Sequence, residues 1–173
     1  MKTKMKNTII IASFLLLSTI TYGQTKEETI EWLNNNMELL LPNTYCSGID
    51  KIGTNRFKIE NDSLIRTSEW GDHYGKWSVA IKDLLYQETN LNNLSDKPYQ
   101  GFCPEIVCFI FQSKKDKIEH KSSNSKGVVD VTEFDSTFSI TYKKENNSDA
   151  MRVVKAIMHL AKLSGATQNK QTF

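Results

Sequence analysis

Any chemistry in this 173-residue chain would start from one crowded stretch, Glu69-Trp70-Gly71-Asp72-His73-Tyr74, with Trp77 three residues further on. Trp70, His73, Tyr74 and Trp77 offer flat apolar faces with polar edges, the combination a sugar or lipid site needs, and they form the candidate ligand surface. Their spacing gives a plainer alternative. Trp77, Val79 and Ile81 recur at period two, as on a strand face turned towards a core. Glu69 and Asp72 are a pair of carboxylates, but glycoside hydrolysis needs two carboxyls held apart across a cleft, which three residues around a turn do not provide. Exposed turn acids are the expected reading.

Other reactive residues are scattered. His73, His120 and His159 have no local metal-ligand spacing. Neither a G-x-S-x-G elbow, a P-loop nor a G-x-G-x-x-G stretch is present to place a nucleophile or a nucleotide. The sequence therefore nominates no catalytic residue, no cofactor and no metal. Of the three cysteines, Cys108 sits in an apolar run and reads as a small buried hydrophobe. Three disulfide pairings are open; Cys46 with Cys103 is favoured because both lie near expected strand starts, and three unpaired thiols remain the alternative.

These residues need a scaffold, and the first 23 residues are not part of it. Lys2, Lys4 and Lys6 precede the apolar run from Ile9 to Ile20, which ends in Thr21-Tyr22-Gly23, the pattern of a signal peptide cleaved before Gln24. Cleavage removes three lysines and no acid. The formal charge then moves from +2 to −1, with 19 basic residues against 20 acidic. A nearly neutral chain has no global attraction for nucleic acid or anionic membrane. No second stretch of spanning length appears, so residues 24–173 are expected to form one exported domain, periplasmic or secreted, of unknown oligomeric state.

The scaffold itself is written in two periods. Thr25-Lys26-Glu27-Glu28 is a capping box, and Ile30, Leu33, Met37 and Leu40 follow at helical spacing until Pro42, which predicts a helix over 26–40. The Asn34-Asn35-Asn36 run is a poor helix former and suggests a frayed or bent end. From Tyr45 the period becomes two: Phe57 and Ile59, a turn at Asn61-Asp62, a resumed strand at Leu64, a turn at Gly71-Asp72, then Trp77, Val79 and Ile81. Residues 87–101 read as the longest loop. Glu105 to Phe111 reads as a central strand buried on both faces, Ile118 to Lys121 as a polar edge strand, and two further strands follow around Val129 and Phe138. Ala150, Val153, Val154, Ile157, Leu160 and Ala161 then mark a closing amphipathic helix over 148–165, with Ser148 as N-cap and Gly165 as left-handed stop. Its opposite stripe, Arg152, Lys155, His159 and Lys162, is expected to face solvent.

This order, an N-terminal helix, seven to eight antiparallel strands and one terminal amphipathic helix, resembles the pleckstrin-homology-like (PH-like) barrel. The run from Arg152 to Gly165, with the opening T-x-E-E-T-I-x-W-L-like helix, is also similar to small uncharacterised bacterial exported proteins. The resemblance implies an α+β fold in which the last helix caps a strongly bent sheet or partly open barrel. Helix-grip and lipocalin-like folds are the alternatives. A basic loop between the first two strands is lacking, since Lys51 and Arg56 are the only cations around Gly53, so phosphoinositide binding is not implied. The expected role is non-enzymatic binding of a protein, peptide or other ligand; the alternative is a carrier for a small apolar molecule or lipid, with the terminal helix as lid.

Overall fold

Thr25 starts the first element as its capping box requires. In the computed structural model, which describes residues 24–41, 45–46, 52–86, 106–123 and 129–169, helix α1 runs Lys26–Leu40. Thr25 Oγ1 accepts from the Glu28 N–H at 3.1 Å, and Glu28 Oε2 accepts from the Thr25 N–H at 2.9 Å. The asparagine run continues the helix to its expected end. Asn34 has a task there: its amide donates to the Ile59 carbonyl at 3.0 Å and accepts from the Ile59 N–H at 2.7 Å, so a side chain serves as the strand neighbour that Ile59 lacks.

Ile59 belongs to β2 (Ile52–Glu60), which pairs with β1 (Tyr45–Cys46) on one side and with β3 (Ser63–Trp70) on the other. The β2–β3 loop is the two residues Asn61 and Asp62, at φ 50° and 56°. Positive φ at both positions matches the right-handed twist of a hairpin, and Asn and Asp tolerate it best after glycine. Gly71, at φ 58°, turns β3 into β4 (His73–Ala80).

Beyond β4 the simple meander ends. A 3₁₀ turn at Ile81–Asp83 leads to the short β5 (Leu85–Tyr86), and the next described strand, β6 (Ile106–Gln112), leaves the sheet. β4 instead pairs with β7 (Ile118–Ser123), and β7 with β8 (Val129–Asp135), giving a six-stranded antiparallel sheet in the order β1-β2-β3-β4-β7-β8. At Ser136 the chain turns out of this sheet into β9 (Thr137–Lys143), which pairs with β6. Helix α2 (Asn147–Leu163) follows, and β10 (Thr167–Gln168) lies parallel to β5.

The fold is thus α+β, with two helices and mostly antiparallel strands, and its sheet is not closed into a barrel. Seven strands are six residues or longer, as expected, but they divide between a six-stranded sheet and the β6–β9 pair. Two strand roles are corrected. β7, expected at an edge, is interior because β4 and β8 flank it; its polar sequence reflects polar side chains on both faces. β6, expected in the centre and buried on both faces, pairs with β9 alone among the described residues and leaves Ile110 46% exposed.

One cluster joins the layers. Leu33 and Met37 of α1, Val153, Val154, Ile157 and Leu160 of α2, Phe57, Leu64 and Val79 of the large sheet, and Phe109, Phe111, Phe138, Ile140 and Tyr142 of the small one are all buried in it. The apolar stripe of α2 faces inward as its spacing predicts. Its start differs from expectation. A 3₁₀ turn at Lys144–Asn146 feeds the chain into the helix, so Ser148 already lies within the first turn and is not the cap. Asn147 Oδ1 accepts from the Tyr142 hydroxyl at 3.0 Å and ties that turn to β9. The stop is as expected. Gly165 takes φ 76°, its N–H reaches the Lys162 carbonyl at 3.1 Å and the Ala166 N–H reaches the Ala161 carbonyl at 2.9 Å, both bonds of a Schellman motif.

Candidate functional site

The pairing register lines up Phe57, Arg66, Trp77, His120 and Glu133 in one row across five strands. Directly opposed residues project to the same face, here the inner one, where Phe57 and Arg66 are buried. Arg66 Nη1 donates to the Ser139 carbonyl at 2.9 Å and to Ser139 Oγ at 2.6 Å, which fastens β3 to β9. Its guanidinium carbon lies 3.8 Å from the Trp77 ring centroid. His120 stacks on Trp77 with centroids 4.2 Å apart and planes 9° apart. Because β4 lies between β3 and β7, the indole is held between guanidinium and imidazole. A second polar link runs beside this stack: Asn55 Nδ2 donates to Thr141 Oγ1 at 2.8 Å, and Ser68 Oγ donates to Asn55 Oδ1.

These groups order the inner layer. His120 Nδ1 lies 3.8 Å from Glu133 Oε2, while Nε2 is buried with no hydrogen-bond partner among the described residues. Burial holds the imidazole below its ordinary pKa. Asp135 and Glu133 pull it upward and Arg66 pushes it further down. A neutral ring suits this position, since protonation would place a second cation against the indole and a buried N–H without an acceptor.

Of the four residues nominated as a ligand surface, Tyr74 and Trp77 lie on opposite faces of the sheet, and the side chain of Trp70 lies outside the described residues. Trp77 is half-buried in the inner row with both ring faces occupied. Tyr74 stands opposite Glu69, on the other face of the sheet. His73 is exposed at the start of β4, where the register sets it opposite Trp70. Glu69 and Asp72 are both exposed. His159 lies on α2 beside the Gln24 carbonyl at 3.3 Å, and no group of three metal-binding side chains occurs among the described residues. Cys108 is buried as expected. Cys103 and the 87–101 segment lie outside the described residues, as do the expected signal peptide and the side chain of Cys46. Arg152, Lys155 and Lys162 face outward, with Arg152 3.6 Å from Asp149 and its guanidinium carbon 5.7 Å from the Trp32 ring centroid.

The sheet's outer face carries what the initial cluster lacked, a set of polar groups aligned on one open surface. Both helices and the β6–β9 pair join the core through inner-face residues such as Phe57, Leu64 and Val79, and no described element packs over the other side. There the row Arg56, Thr67, Lys76, Lys121 and Thr132 crosses five strands, with Tyr74 and Phe134 in adjoining rows. Lys58 Nζ lies 2.8 Å from Glu60, whose carboxyl it holds below the usual range, and Lys121 Nζ lies 2.9 Å from Glu119. Ile65 is buried on this side beneath the stems of its long neighbours. The residues of the row alternate with Phe57, Arg66 and Trp77 at period two, so their shared face was legible; their alignment across strands was not, because β4 pairs with a strand more than forty residues away.

A cavity of about 350 Å³ lies between the end of α1 and β2, lined by Glu38, Leu41, Asn55, Phe57 and Arg56, the last of which also begins the outer row. Its described lining combines charged and polar residues with two apolar ones. Compared with known proteins, the chain matches no family model, no curated protein and no solved structure.

Proposed function

We propose that this chain is an exported, non-enzymatic binding domain that presents one face of its sheet to a partner and uses the other face for its core. The single observation that carries this reading is the division of the sheet: one side is consumed by apolar packing and the Arg66–Trp77–His120 stack, while the other bears aligned cations, hydroxyls and aromatic rings with no described element over it. Export rests on the lysine-rich and apolar start of the sequence. A PH-like architecture is supported by the terminal helix against the inner face and by the β2–β3–β4 meander; the passage of β4 to β7 and of β6 to β9 is what separates this chain from a simple meander barrel.

The carrier alternative needs an apolar chamber under α2. Ile157 and Leu160 are instead fully buried within the main cluster, and the cavity beside β2 has a mixed, charged lining. Native mass spectrometry of the protein purified from exporting cells, before and after denaturation, tests the choice. A bare polypeptide is expected. A bound mass that disappears on denaturation would replace the binding-domain reading with the carrier.

A further inference from the structure

We propose that the outer face of the six-stranded sheet binds a linear, carboxylate-bearing polysaccharide, laid across the strands along Arg56, Thr67, Lys76, Lys121 and Thr132. This rests on the binding-domain reading above and names its ligand class.

The first support is a charge arrangement that costs stability. Lys76 stands directly opposite Lys121 in the β4–β7 register, and like charges in that position repel. Glu119 offsets Lys121 at 2.9 Å, whereas Lys76 and Arg56 are in no ion pair among the described residues. Arg56 is exposed and Lys76 half-buried, so both can be reached from solvent. A like-charge contact that Glu119 and the more distant Glu60 offset only in part is a local conflict that an anion arriving from outside would relieve.

The second support is the order of groups. From strand to strand, about 4.8 Å apart, the row offers cation, hydroxyl, cation, cation, hydroxyl. A uronic acid polymer carries a carboxylate and free hydroxyls on each ring, so one chain can meet both kinds of group. An extended acidic peptide supplies carboxylates but neither ring hydroxyls nor ring C–H faces. Tyr74, two residues before Lys76, and Phe134, two residues after Thr132 and 61% exposed, flank the row with rings that can meet the C–H faces of sugars.

The third is charge density. Arg56, Lys58, Lys76 and Lys121 share this face with Glu60, Glu69 and Glu119. Acids on both flanks disfavour a densely charged polymer such as nucleic acid and leave a central row suited to one carboxylate per ring or fewer.

The test is retardation of the protein from exporting cells in native gels cast with polygalacturonate, with fully methyl-esterified polygalacturonate and polyglutamate as comparison polymers. Polygalacturonate is expected to retard the protein, and Arg56→Gln and Lys76→Gln are each expected to weaken the apparent affinity roughly two- to fivefold, as exposed ion pairs do. Lys58→Gln, on the same face but paired with Glu60, should bind as the parent does. Matching circular dichroism spectra would show that the variants fold. Retardation by polyglutamate in place of polygalacturonate would overturn the proposal in favour of an acidic peptide, and equal retardation by the esterified polymer would remove the charged row from the account. No retardation by any polymer, with a bare polypeptide in native mass spectrometry, would overturn the ligand class while leaving the binding-domain reading standing.

Discussion

Asn34→Ala sets helix propensity against sheet completion, and the two predict opposite signs. Considered as part of a helix, the substitution replaces a poor former with the best one and should stabilise α1 by up to about 0.7 kcal/mol. In the fold it removes both hydrogen bonds that satisfy Ile59, at 2.7 and 3.0 Å. Each such bond contributes about 0.5–1.5 kcal/mol net, so their loss costs about 1–3 kcal/mol, and water reaching this part-buried edge keeps the figure towards the lower end. The sum is a net destabilisation of about 0.5–2 kcal/mol, or a Tm lower by roughly 1–8 °C for a domain of this size. Asn35→Ala, next to it on the exposed side, has only the propensity change and should be neutral or slightly stabilising. Asn34→Asp keeps an acceptor for the Ile59 N–H, loses the donor to the carbonyl, and should fall between parent and alanine. Urea denaturation of the three variants reads the differences directly. If Asn34→Ala stabilises the protein as much as Asn35→Ala does, the amide does not complete the sheet and the reasoning is wrong.

Three further outcomes follow from the same structure. His120 has a folded-state pKa below its ordinary 6.5, so its contribution is fully present above that pH and is lost as the pH falls through it, because the unfolded chain then takes up a proton that the folded chain resists. Denaturation at pH 7.5, 6 and 5 should show this loss in the parent and a shallower one in His120→Gln; identical slopes would contradict it. Gly165→Ala places a Cβ at φ 76°, with no neighbour to clash but with backbone strain, and should cost about 1 kcal/mol in thermal denaturation. Leu160→Ala empties a fully buried position of α2 and should cost about 2.7–5 kcal/mol; a loss below 1 kcal/mol in denaturant titration would mean that the region under the helix is loosely filled.

What could be read from the sequence was whatever local chemistry decides. The Thr25–Glu28 box, the Asn61-Asp62 and Gly71-Asp72 turns, the inward stripe of α2 and the stop at Gly165 each depend on a few neighbouring residues, and the structure has them where expected. Neighbour choice between strands was not legible. The apolar run of β6 suggested a strand with partners on both sides, and the polar β7 suggested an edge; long-range pairing reversed both, because hydropathy reports which faces are dry and not which strands lie alongside. The same limit governed the site. Trp70, His73, Tyr74 and Trp77 are close in sequence, but period two divides Tyr74 from Trp77, and the partner of Trp77 that matters, His120, comes from β7. Arg66 could have been noticed earlier, since it shares a strand face with Leu64 and so had to be either an exposed neighbour of a core residue or a buried cation. The Asn34 bridge left no trace in the helix pattern, because its purpose lies on a strand 25 residues away.

The most direct test of the two-faced sheet is amide chemical-shift mapping of the protein while an oligogalacturonate is titrated in. The account predicts perturbations centred on Arg56, Thr67, Lys76, Lys121 and Thr132, with α2 unaffected. Perturbations concentrated at Ile157 and Leu160, or at Glu38 and Leu41 with Lys76, Lys121 and Thr132 unmoved, would contradict it and place the functional surface away from the outer row.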